Sequence, residues 1–115
     1  MTDLKLVKTI VGAIEDKKGE EIVALDLSQL CGAVCDTFII ASGASSVQVE
    51  AICSGVEDET FKQLREKVIR IAGQRNAQWI AMDYGNVIVH IFQPEFRDFY
   101  SLEELWGDAK RIELK

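Results

Sequence analysis

The sequence predicts one α/β domain over residues 1–115, a mixed β-sheet of about five strands flanked by helices. Three observations carry this. Two stretches, Asp3 to Lys17 and Ser45 to Glu66, place apolar residues at helical spacing. Asn86 to Phe92 is apolar on both alternating sets of positions, the pattern of a strand buried on both faces and therefore central. Tyr84-Gly85 falls between that strand and another apolar run, Gln78 to Asp83, where a hairpin turn fits.

In chain order, the first helix shows Leu4, Val7, Val11 and Ile14 on one face. Asp3 suits its start, Gly19 its end, and Gly12 costs its middle roughly 1 kcal/mol relative to alanine. Glu21 to Asp26 reads as a strand, and Leu27 to Val34 as a connection with room for one helical turn. Asp36 to Ser42 reads as a second strand that ends in Ser42-Gly43-Ala44. Ser45 and Gln48 then form the S-x-x-Q pattern of a capping box before Val49, Ile52, Val56 and Phe61. Val68 to Ala72 is a short strand, and Gly73 to Ala77 a polar loop. Pro94 suits the first turn of a helix, and Ser101 with Glu104 repeats the capping pattern before Leu105 and Trp106. If the strands on either side of the second helix are parallel neighbours, their crossover is right-handed.

Composition narrows the function classes. A net charge of −6, with 19 acids against 13 bases, favours a basic protein partner over naked nucleic acid. On charge alone, plain solubility is the simpler account of the same acidity. No apolar run approaches the ~18 residues of a membrane span. Met1 to Lys5 resembles neither a signal nor a transit peptide, so a bacterial cytoplasmic location is expected. Cys31, Cys35 and Cys53 make an odd count suited to reduced thiols, and with His90 as the single histidine they form no recognised zinc pattern. No metal and no cofactor are expected.

Four features remain to be weighed. The Ser42-Gly43-Ala44-Ser45-Ser46 loop leads into a helix N-terminus, where N–H groups can hold phosphate, as in a nucleotidyltransferase. That chemistry needs paired carboxylates, whereas Asp26, Asp36 and Asp83 stand singly, and no Walker-type lysine follows. Helix capping is the plainer account of the loop. His90 has a general base's chemistry, but its apolar strand suits a buried, hydrogen-bonded imidazole better. Lys62, Arg65, Lys67, Arg70 and Arg75 have the charge for an RNA contact, but a solvated helix end favoured by the helix dipole is the plainer account. Trp79 and Tyr84, beside the turn, suit binding and packing equally.

One resemblance spans nearly the whole chain. Asp36 to Gly43 followed by Ser45-Ser46-Val47-Gln48-Val49, then Trp79, Asp83-Tyr84-Gly85, Val89-His90-Ile91-Phe92, Arg97, Phe99-Tyr100, Leu102-Glu103 and Leu105-Trp106, closely resembles the Iojap-like family of ribosomal silencing factors. The resemblance implies a fold similar to the nucleotidyltransferase core but no catalysis. It implies binding to the large ribosomal subunit through its basic protein L-fourteen, which stops the small subunit from joining when nutrients are scarce. It puts the contact at the hairpin of Trp79, Met82, Asp83, Tyr84, Gly85 and Asn86, with the acidic Glu103, Glu104 and Asp108 as an accessory contact. Ribosomal RNA and a second copy of the chain stay open as further partners. A nucleotidyltransferase-like enzyme, or a ribosome assembly factor without silencing activity, is the alternative. Two departures each remove a negative charge from the family pattern: Ala72-Gly73 stands for Glu-Gly, and Asn86 for the Asp after the turn.

Overall fold

Apolar residues three and four apart make the first helix, α1 (Leu4–Asp16), which buries Leu6, Val7, Ile10, Val11, Ala13 and Ile14. This computed structural model describes residues 4–27, 36–96 and 110–111. Cys31, Cys35, the expected C-terminal helix and Glu103, Glu104 and Asp108 lie outside the described residues. Lys18, at φ 65°, takes the left-handed turn after α1, and Gly19 donates from its N–H to the Ile14 carbonyl at 2.9 Å. Glycine is required at position 19 by close approach, because an added Cβ would collide with the Ile14 side chain.

The strands are β1 (Glu20–Asp26), β2 (Thr37–Ser42), β3 (Arg70–Ala72), β4 (Trp79–Asp83), β5 (Val87–Phe92) and β6 (Lys110–Arg111). All five expected strands are present, and the two-residue β6 adds a sixth by pairing with β1. The sheet order is β3-β4-β5-β2-β1-β6. Among the described residues only β2 and β5 pair in parallel, from Thr37↔Val87 to Ser42↔Phe92; the other pairs are antiparallel. Asn86 to Phe92 is thus central, as its double-sided apolar pattern demands. The conditional crossover does not form, because β2 takes β5 as its parallel neighbour while β3 sits at the far edge.

The second helix, α2 (Ser46–Leu64), starts on the expected capping pattern. Ser45 Oγ accepts from the Gln48 N–H at 3.2 Å, and Gln48 Oε1 accepts from the Ala44 N–H at 2.7 Å. Gln48 Nε2 also donates to the Lys18 carbonyl at 2.8 Å, tying the start of α2 to the end of α1. The helix ends without glycine. Arg65 turns left-handed at φ 57°, and Glu66 N–H closes back on the Thr60 carbonyl at 3.2 Å.

Strand alternation divides the core in two. Both helices cover one face, packing on Ala24, Ile39, Ala41, Ile80, Met82, Val87, Val89 and Ile91. The opposite face carries Leu25, Phe38, Ile40 and Phe92, with half-buried Val23, Trp79, Ile88 and Phe96 packed against them.

Candidate protein-binding surface

The β4–β5 hairpin positions most of the expected contact residues, and it divides them between the faces. Tyr84 N–H donates to the Val87 carbonyl at 2.9 Å, so Gly85 and Asn86 are the central turn residues. Gly85 has φ +92° and Asn86 does not turn positive, the arrangement of a type II′ hairpin. Asp83 Oδ1 accepts from the Gly85 N–H at 2.7 Å and braces the turn. The Asn86 carbonyl accepts from the Asp36 and Thr37 N–H groups at 3.0 and 3.1 Å, which fixes the hairpin to β2.

Trp79, Ala81 and Asp83 alternate onto the face without helices, while Ile80 and Met82 point beneath them. Trp79 is half-buried and stacks on its cross-strand partner Phe92, with ring centroids 5.2 Å apart. Its indole N–H donates to His90 Nδ1 at 3.0 Å, and Phe38 meets the same imidazole edge-on at 4.6 Å.

Met82 and Tyr84 require a correction as surface anchors. Met82 is fully buried and Tyr84 is 6% exposed, both in the core under the helices. The Tyr84 hydroxyl shares a 2.8 Å hydrogen bond with Thr60 Oγ1 of α2, and burial raises the phenol's pKa. Neither side chain can fill a partner's pocket while the domain is folded. Trp79, Asp83, Gly85 and Asn86 are at least partly accessible.

His90 is 6% exposed, and burial pushes its pKa down to about 4. The imidazole is neutral at pH 7. Because Nδ1 accepts from Trp79, its proton resides on Nε2, which is buried and meets no hydrogen-bond partner among the described residues. Neither nitrogen offers a free lone pair, so this histidine is unsuited to general-base work. Cys53 belongs to the helix-side core, and burial pushes its thiol up to about 11. The sheet separates its thiol from the His90 imidazole, so the two form no dyad.

The elements of a nucleotidyltransferase site do not converge. Asp26 pairs with Thr37, Asp36 precedes Thr37, and Asp83 pairs with Ile88, so all three carboxylates stand at one end of the central strands. The Ser42–Ser46 loop stands at the other end of the six-residue β2, a separation of roughly 17 Å. Its first N–H groups are already engaged, Gly43 with the Phe92 carbonyl at 2.8 Å and Ala44 with Gln48. A Cβ on Gly43 would press against Val49 at 3.0 Å, so this glycine serves the packing of β2 on α2. Among the described residues no three His, Cys, Asp or Glu side chains are grouped to hold a metal, and no helix is long and apolar enough to cross a membrane.

The roles of Phe38, Thr60 and Gln48's second contact escape sequence reading, because each depends on a partner at least 24 residues away. The polar Thr60 within the inward face of α2 is the one local hint.

A family model described as "Ribosomal silencing factor during starvation" matches residues 1–115. The chain belongs to the ribosomal silencing factor family. It is 37% identical to the ribosomal silencing factor RsfS of Halalkalibacterium halodurans, covering 100% of this chain and 97% of the relative. Identity to the Bacillus subtilis RsfS is 36%, over 99% of this chain and 95% of that one. A crystal structure of a Chromobacterium violaceum protein superposes with a TM-score of 0.85 at 34% identity, covering 93% of this chain and 88% of that chain. The family's α/β architecture is therefore this chain's own.

Proposed function

We propose that this protein silences translation by occupancy, without catalysis. It binds the large ribosomal subunit through protein L-fourteen and blocks small-subunit joining in the bacterial cytoplasm when nutrients are scarce. The whole-length family match carries this reading. The divided hairpin gives it a surface: half-buried Trp79 supplies the aromatic anchor, and Asp83, Gly85 and Asn86 the polar rim. Glu103, Glu104 and Asp108 add negative charge that complements a basic partner and steers encounter. An interface of ordinary size needs only ~800 Å² per partner, a small part of the 6895 Å² this domain exposes. The separated carboxylates and serine loop support a non-catalytic role.

Purified protein should co-sediment with free large subunits and lower the fraction of joined ribosomes. Co-sedimentation with small subunits alone, or joining unchanged at saturating protein, refutes the proposal. Incubation with nucleoside triphosphate and magnesium or manganese should give no turnover. Reproducible turnover abolished by Asp36→Ala or Asp83→Ala would restore the enzyme reading.

A further inference from the structure

The β3 edge of the sheet is rich in basic residues. Between residues 61 and 75 stand Lys62, Arg65, Lys67, Arg70 and Arg75 against a single acid, Glu66, in a protein of net charge −6. The fold strings them along the β3 edge of the sheet. Lys62 lies in the last turn of α2 and Arg65 is its left-handed cap. Lys67 follows in the link to β3, Arg70 opens that outermost strand, and Arg75 lies in the β3–β4 connection. All five side chains are exposed, and none forms an ion pair with a described residue. Arg65 and Lys67 instead lie over the Phe61 ring, 5.1 and 5.6 Å from its centroid. The ring restricts both cations while leaving their charge unneutralised.

We infer that this edge binds the phosphate backbone of structured RNA, which on the proposed function is ribosomal RNA beside the docking site. A nucleic-acid backbone condenses counterions, and unpaired cations that neutralise its phosphates release them. Three of the five are arginines, whose fork matches phosphate oxygens in a bidentate way. A protein partner fits less well. Protein interfaces centre on a desolvated apolar core depleted of charge. Here the exposed apolar groups are Phe61 and Ile69, and Phe61 is already covered by two cations. Phosphate contacts position a protein without needing such a core. The edge is a second contact. The chain's overall negative charge opposes naked RNA, whereas docking through the hairpin presents the edge at high effective concentration. Glu57 and Asp58 line one cavity with Phe61 and Lys67, and Asp83 is the cross-strand partner of Arg70, so these acids limit the basic surface on the α2 and β4 sides.

The test measures binding of the full chain to purified large subunits across a salt series, for the natural protein and for Lys67→Ala/Arg70→Ala. The variant neutralises two fewer phosphates, so a fourfold rise in salt should weaken the natural protein about tenfold more than the variant. Melting of the two proteins should coincide, since both side chains are exposed. A photo-crosslinker placed at Arg75 should yield a ribonuclease-sensitive adduct. Equal salt slopes with intact binding overturn the inference and leave the proposed function standing. A protease-sensitive, ribonuclease-resistant adduct assigns the edge to a ribosomal protein and overturns it as well. Failure of the natural protein to bind large subunits at any salt overturns the proposed function and this inference together.

Discussion

Removing the Tyr84 hydroxyl separates packing from binding at the hairpin. Tyr84 and Thr60 are 6% and 0% exposed, and their hydroxyls lie 2.8 Å apart. Thr60 Oγ1 is also 3.2 Å from the Glu57 carbonyl, to which it donates, so Tyr84 donates to Thr60. Tyr84→Phe deletes that donor and leaves the threonine its other bond, at a cost of about 1 kcal/mol. Thr60→Val strands a buried phenol and should cost more, about 1–3 kcal/mol. The double substitution removes both groups and should cost less than the two singles together. For a domain of this size 1 kcal/mol corresponds to a Tm shift of roughly 4 °C, which thermal melting of the four proteins resolves. Large-subunit binding should stay unchanged in Tyr84→Phe, because the hydroxyl faces α2. A Tyr84→Phe protein with natural stability but weakened binding would show that the phenol reaches the partner, and the buried assignment would be wrong.

Three further outcomes are expected. His90 titrates near 6.5 unfolded and about 4 folded, so between those values the unfolded chain binds more protons. Its contribution is therefore complete above pH 6.5 and declines as pH falls to 4, by up to roughly 3 kcal/mol; His90→Gln should flatten this part of the stability–pH curve measured by urea unfolding. Trp79→Phe keeps a ring against Phe92 but loses the indole donor to His90, so it should lower stability by about 1 kcal/mol and, unlike Tyr84→Phe, weaken large-subunit binding in the co-sedimentation assay. Gly85→Ala meets only the Ile69 side chain at 3.4 Å but must hold φ +92°, which should cost on the order of 1 kcal/mol in chemical denaturation.

The helices and strands were legible because each rests on local spacing. Val7, Val11 and Ile14 recur along α1 and Val49, Ile52 and Val56 along α2 with the period of a helix, whereas Leu4 and Phe61, read onto the same faces, are exposed, and Leu6 and Ile10 complete the α1 face; Ser45 and Gln48 mark the start of α2, and the Val87–Phe92 run leaves β5 no polar face. His90 as a buried, hydrogen-bonded residue was legible for the same reason. Pairing was not. Nothing local to Thr37–Ser42 selects β5 over β3 as its parallel neighbour, because the pairing joins residues fifty positions apart, from Thr37↔Val87 to Ser42↔Phe92. The facing of Tyr84 was missed too. Yet alternation carries it: Ile80, Met82 and Tyr84 share the helix-covered face opposite Trp79 and Asp83, and the bond to Thr60, 24 positions earlier, holds the phenol there.

The parallel pairing at the centre of the sheet bears on how the chain is made. Thr37 waits for Val87, fifty positions later, before β2 gains its inner neighbour. During synthesis β1 and β2 can pair as soon as they leave the exit tunnel, but the long-range partner emerges fifty residues after Thr37. Until then one edge of Thr-Phe-Ile-Ile-Ala-Ser, a segment without charge or proline, is unpaired. Such an edge is a template for pairing with another chain. Nascent fragments that stop before residue 87 should therefore aggregate through β2, whereas fragments that continue past residue 92 can close the sheet.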